Sequence, residues 1–391
     1  MQLHIGAWAA DFDDEGILWV SDFTYNGLYR YDLEKRKLEF VHRFERISIS
    51  KASLHKEMRV IGNEIFLFPL RDNKIRIFNK KTSKESYIDL PPGHGNRFDV
   101  WVGEKKALIF SDDNNSDILC FDFETRTISS DVKLNELCMK LIGKKDWTVK
   151  KGSYNNTLIV LDNDTQKVYC IDTDTYQYKI IDVKPIKEGI EKICFFKRKY
   201  WFLLRESHDI VAYDIDMKIY IRYKAETTEY IENRKFIPYS NIVQWENELI
   251  ILNYYGKDVM RIVEKKQTIE KLFSKELEIV PRQDIEYGAC YMTAINRDKK
   301  MYLIPHRAEA IIEINKDLEI SNQYECLIDK DEKELQRILL SKQKDKSIMK
   351  ENKTIATLQR YITNIFQSQY SEVDCDVGRK IYLKLNTEVE E

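Results

Sequence analysis

Six histidines stand among 391 residues, few enough to weigh singly. His55, His94, His208 and His306 each fall in a polar segment beside an apolar run. Imidazoles brought together would make a metal or acid–base site. These four come from separate stretches, and solvent-facing loop histidines would give the same pattern. Asp22, Glu57, Asp99 and Glu191 also flank apolar runs. Two such carboxylates across one pocket would act as acid and base on a glycosidic bond; unpaired, they are ordinary surface charges. The runs Asp112-Asp113-Asn114-Asn115-Ser116-Asp117 and Asp162-Asn163-Asp164-Thr165 offer oxygens of the kind calcium takes. The second begins as an EF-hand loop does but lacks its glycine and its closing glutamate. Asp and Asn also favour plain turns, so both runs read as hairpin loops and no metal is expected. In Pro92-Gly93-His94-Gly95-Asn96-Arg97 the glycines allow close backbone approach, and His94 with Arg97 would hold an anion. No phosphate-loop lysine pattern accompanies it, which leaves a turn as the simpler reading.

Nucleophiles are as scarce. Cys290 heads an apolar run, 291–295, and reads as a buried thiol rather than a reactive one. No G-x-S-x-G pattern occurs. The seven cysteines are odd in number and form no C-x-x-C pair, which excludes a zinc ribbon or a thioredoxin-type motif. Free thiols suit a reducing compartment. The first residues lack a basic, apolar leader, and no 18 apolar residues run together. A cytoplasmic protein without a membrane span is expected. Sixty-three basic residues balance 65 acidic ones, which argues against a nucleic-acid partner. With 43% apolar and 12% aromatic residues the chain has ordinary globular composition. No cofactor motif is present, and none is expected to be bound.

The elements that must position these residues show as a repeat. Seven apolar runs begin at Leu18, Ile65, Leu108, Leu158, Tyr200, Leu249 and Met301. A second run starts ten residues later in every case, at Leu28, Ile75, Ile118, Val168, Ile210, Val259 and Ile311. Two residues into the leading runs lie Val20, Leu67, Phe110, Val160, Phe202, Ile251 and Leu303, all apolar. Four residues into the second runs lie Asp32, Asn79, Asp122, Asp172, Asp214, Val263 and Asn315. Alternating apolar positions put one strand face into a core. Asp or Asn at a strand end suits the following turn, since its side chain bonds the backbone two residues on. The second runs are 47, 43, 50, 42, 49 and 52 residues apart. That period, with several short strands per unit, matches a blade of four strands. An all-β, seven-bladed β-propeller of four-stranded antiparallel blades is predicted over residues 1–327. Blade three is drafted as 97–134, followed by a long loop over 135–146. Blades one and seven each contain a full set of strands, so ring closure should rest on apolar packing between them. Residues 328–391 carry apolar residues at helical spacing, such as Leu335, Ile338 and Leu339, and read as a mainly helical C-terminal segment.

The segment from Leu18 to Asp32 resembles the first-blade pattern of uncharacterised bacterial β-propeller repeat proteins of the kelch-like and YVTN-like kind. The paired glycines of true kelch blades and the Gly-His…Trp-Asp pattern of WD40 blades are absent. The resemblance implies a fold and no catalytic residues.

In such a ring the loops entering each inner strand, and those joining second to third strands, share one face around the channel mouth. The candidate binding residues are drawn from this face: Asp22, Tyr25 and Asn26 in blade one; His55 and Arg71 in blade two; His94 and Arg97 entering blade three; Arg205 and His208 in blade five; Tyr254 and Tyr255 in blade six; His306 and Arg307 in blade seven. Trp8, Trp101, Trp147 and Trp245 fall near inner strands, where they pack between blades or, at the mouth, stack a sugar or a peptide side chain. The expected function is a binding or scaffold protein that recognises a peptide, protein or glycan partner. The rival is an enzyme with a polar pocket at the channel mouth acting on carbohydrate.

Overall fold

In the computed structural model of the chain the described residues are 5–22, 27–44, 54–70, 72–92, 98–111, 117–142, 147–149, 156–162, 165–207, 209–224, 239–254, 258–273 and 289–326. The C-terminal segment 328–391 lies outside them, as does Cys375. Each leading apolar run forms the second strand of a blade: Leu18–Asp22, Glu64–Pro69, Lys106–Ser111, Thr157–Asp162, Lys199–Leu204, Glu248–Asn253 and Lys300–Pro305. The run ten residues on forms the third strand. An inner strand precedes them and an outer strand follows. The result is seven four-stranded antiparallel sheets, each with its strands in sequential order. The chain is a seven-bladed β-propeller.

Burial explains why the second strands read as continuous apolar runs. All five residues of Leu18–Asp22 are buried, and Glu64–Pro69 is buried from Ile65 onward. Each blade is covered on both faces by its neighbours, so both faces of this strand need apolar side chains. Six core clusters lie between consecutive blades, from one–two to six–seven. The seven positions two residues into the runs are all buried, with Val160 and Ile251 at 0% exposure.

The Asp and Asn residues act as expected. Asp122 Oδ1 accepts the Thr125 N–H at 2.7 Å and Asp172 Oδ1 accepts the Thr175 N–H at 2.7 Å. Asp32, Asn79, Asp214 and Asn315 make equivalent bonds. At the one exception, Val263, a short 3-10 turn over Glu264–Lys266 takes over. Every one of these turns then passes through a left-handed residue: Arg36, Ser83, Arg126, Tyr176, Lys218, Gln267 and Leu318. None is glycine, so in the six turns with Asp or Asn the carboxylate or amide bond helps hold a backbone conformation that costs these side chains energy.

Closure rests in part on the packing expected, with Tyr31 against Tyr324 and Phe12 against Tyr302, and in part on polar contacts. No strand is exchanged between blades one and seven. The Tyr31 hydroxyl donates to the Glu325 carbonyl at 2.8 Å, and Arg36 donates to Asn322 Oδ1 at 3.1 Å. Arg297 donates to the Asp13 carbonyl while its guanidinium stands 5.1 Å over Phe12. Phe12 in turn packs on Tyr302, ring centroids 5.0 Å apart. Cations and aromatics thus staple the ring, because backbone carbonyls at the seam need donors.

Glu313 organises the blade-seven side of that seam. Its carboxylate is 1% exposed and accepts bonds from Ser321 Oγ at 2.6 Å, Tyr324 Oη at 2.7 Å and Asn322 Nδ2 at 3.2 Å, with Lys300 Nζ at 3.0 Å. Burial opposes the charge, but these four donors outweigh it and hold the carboxyl at about 2. The stabilisation is complete above the unfolded value of 4.5 and is lost as pH falls toward about 2. Glu313→Gln should cost about 2 kcal/mol at pH 7 and flatten the acid limb of the stability curve. Denaturant midpoints from pH 7 to pH 3 check this; an unchanged acid limb in the variant would refute it.

The stretch drafted as the end of blade three and a loop is in part a helix, Val132–Ile142. Asp131 caps it, Oδ1 accepting the Leu134 N–H at 3.1 Å. Leu134 and Cys138 turn inward and join the core between blades three and four.

Candidate functional site

The mouth face is built by the starts of the inner strands and the ends of the second strands. Five of seven inner strands carry an irregular register at this end: between Ala7 and Ala9, His55 and Glu57, Ile190 and Lys192, Tyr239 and Asn241, and Tyr291 and Thr293. A bulge re-aims the extra residue. Here the extra residues are Trp8, Lys56, Glu191, Ser240 and Met292.

Three of them build the rim. Trp8 is half-buried and meets His306 edge-on, centroids 5.6 Å apart. Lys56 Nζ stands 5.3 Å over the Trp8 ring and 3.7 Å from Asp99 Oδ1. A line His306–Trp8–Lys56–Asp99 therefore runs across blades seven, one, two and three. Glu191 pairs with Arg205 at 2.9 Å. Beside it Arg222 bridges Glu188 and Asp209, the latter at 3.0 Å. Ser240 instead ties the inner strands of blades six and seven, donating to the Tyr291 carbonyl at 2.8 Å.

Of the residues singled out from sequence, six lie among the described ones and share this face. Asp22 is buried and accepts the Gly6 N–H at 2.8 Å. His55 is buried, with Nδ1 2.8 Å from Ser21 Oγ. Burial, and then the nearby Arg76, push its imidazole well below the usual value, so it is neutral. His306 is buried, with Nδ1 3.3 Å from the Ala7 carbonyl. Arg205 holds Glu191. Burial raises the Tyr254 phenol, while the charge of Arg307 in blade seven pulls it back. Tyr25, Asn26, Arg71, His94, Arg97, His208 and Tyr255 fall outside the described residues.

Of the four carboxylates weighed as an acid–base set, three have partners of another kind. Asp99 and Glu191 face cations, and Asp22 caps a backbone N–H. Asp162 accepts the Thr165 N–H at 3.1 Å, the hairpin arrangement expected of its loop. Among the described residues no three His, Cys, Asp or Glu side chains are grouped to hold a metal ion. Cys290 is buried in the core between blades six and seven. Burial drives the Cys138 and Cys194 thiols up to about 12 and Cys170 to about 11, away from thiolate chemistry.

Lys56 and Ser21 were not among the expected residues. Lys56 looks like any strand lysine until a bulge turns it over Trp8. Ser21 gains significance only from a histidine 34 positions away.

No protein-family model and no curated protein matches the chain. Solved structures do. A catalytically inactive variant of virginiamycin B lyase from Staphylococcus aureus, with quinupristin, is similar at TM-score 0.54 and 12% identity, over 80% of this chain and 97% of that one. YCF48 bound to D1 peptide is similar at TM-score 0.52 and 10% identity, over 78% and 93%. The extracellular domain of the putative one-component system BT4673 from B. thetaiotaomicron is similar at TM-score 0.50 and 10% identity, over 79% and 38%. At such identities the likeness is one of fold, and the fold hosts an enzyme and a peptide-binding protein alike.

Proposed function

We propose that the protein is a binding propeller that recognises a peptide or protein partner through its mouth face. One observation carries the reading: a half-buried tryptophan on a bulge, set between a lysine and a histidine, with paired charges spread around it. This is a broad aromatic and charged rim, whereas hydrolysis of a glycosidic bond needs two carboxylates converging on one point. Trp and Arg are the side chains that most often anchor interfaces, and Trp8 and Arg205 stand on this face. That YCF48, of like fold, was solved with a peptide supports the peptide form; a glycan stacked on Trp8 is the other ligand this rim would suit. On the first-blade pattern from Leu18 to Asp32 we group the chain with kelch-like and YVTN-like propellers.

The test is affinity capture from the native cell with the wild-type chain, followed by binding titrations on Trp8→Ala and Lys56→Ala. Each variant should weaken binding of the captured partner about tenfold or more, as loss of a central interface side chain does, with little change in melting. Undiminished binding by both would remove the rim from the recognition surface.

A further inference from the structure

His55 opens the inner strand of blade two, His55–Ile61, and is 3% exposed. Its described neighbours come from blades one and two. Ser21, on the second strand of blade one, bonds Nδ1 at 2.8 Å. The Phe44 ring meets the imidazole edge-on, centroids 4.8 Å apart. The Arg76 guanidinium lies 5.6 Å from that same ring. Nε2 is buried and has no hydrogen-bond partner among the described residues.

The charges nearby are already committed. Arg76 donates to Asp72 Oδ2 at 2.7 Å and to Glu85, and Glu85 also meets His42 Nε2 at 2.8 Å. Asp22, beside Ser21, caps the Gly6 N–H. On its own strand His55 is followed by Lys56 and Glu57, and Lys56 faces Asp99. A proton on His55 would therefore add a cation next to Arg76, where Asp72, Glu85 and Asp22 already hold other partners. It would also leave a buried N–H donor unpaired. The charged ring reaches stable surroundings only where the seam opens to water.

We propose that His55 is a proton-operated latch on the seam between blades one and two. Uncharged, it closes the mouth ends of the Ser21 and His55 strands against each other. Charged, it releases them, and with them Lys56 on the adjoining bulge and its contact with Trp8. The latch stands on this seam alone and holds whatever the mouth face binds.

The sign follows from linkage. A histidine whose value is depressed in the closed state favours that state above about 6.5. The open state gains about tenfold in population for each pH unit below about 6.5, until the closed form itself protonates. Hydrogen exchange on the full chain, corrected for intrinsic rates, reads this directly. Between pH 7.5 and pH 5, amides at 19–22 and 56–58 should lose protection by about tenfold per unit below 6.5. In His55→Asn, where an amide can still bond Ser21 but cannot titrate, that dependence should vanish. Equal protection at both pH values, or the same dependence in the variant, overturns the latch. Nitrogen-15 titration of the wild-type histidines decides the matter independently of any variant. A His55 ring that stays neutral at pH 5.5 supports the latch, and one that titrates near 6.5 overturns it.

Discussion

Replacing Ile251 or Val160 by aspartate should leave no cooperatively folded propeller at 25 °C. Ile251 is fully buried in the core between blades five and six, and Val160 in that between blades three and four. Each position is packed among aliphatic and aromatic side chains. A carboxylate there must be buried unpaired or take up a proton, and the lost apolar contact adds to the cost. The sum exceeds about 4 kcal/mol, a large part of the about 5–15 kcal/mol that holds a domain together. Circular dichroism melts and gel filtration read the result. Wild-type melting in either variant would mean that these strand faces do not point between blades.

Arg76→Met carries the other large effect. Arg76 and Asp72 have side chains 5% and 0% exposed, and Arg76 also holds Glu85. Burial works against the Glu85 charge, yet bonds from His42 and Arg76 keep its carboxyl below the ordinary range. Methionine fills much of the arginine volume but strands the Asp72 carboxylate in the interior. Breaking a buried pair in this way costs about 3–5 kcal/mol. Adding Asp72→Asn to Arg76→Met should recover part of the loss, since the orphaned charge is then gone. Denaturant midpoints of the two variants measure this. A loss under about 1 kcal/mol for Arg76→Met, or no recovery on adding Asp72→Asn, would show that the pair is not isolated from solvent.

The seven offsets of ten made the blades legible, because they reflect a local object. A hairpin of two short strands and its loop has a length set by strand rise and turn geometry, wherever it sits in the ring. The Asp or Asn closing six of the third strands was legible for the same reason, since its bonds reach only two to four residues along the chain. The left-handed residue that follows was not, because glycine is its usual marker and these turns use Arg, Tyr, Lys and Leu. The helix Val132–Ile142 was hidden because it is short and only two of its residues, Leu134 and Cys138, are buried.

The candidate site divides along the same line. That His55, Arg205 and His306 belong to one face followed from strand order alone. What they touch on that face did not. Trp8 reaches His306 across 298 positions, and it does so only because the inner strand bulges between Ala7 and Ala9. Arg76 is buried with Asp72 where Phe44, just past the outer strand of blade one, stands 5.6 Å from its guanidinium. Strand length, turn chemistry and burial pattern are written in neighbouring residues, and the amino-acid order by itself determined them. Bulge register, the pairing of charges and the burial of an imidazole bonded through Nδ1 to a neighbouring blade depend on the edge that blade presents, and the closed ring alone decided those.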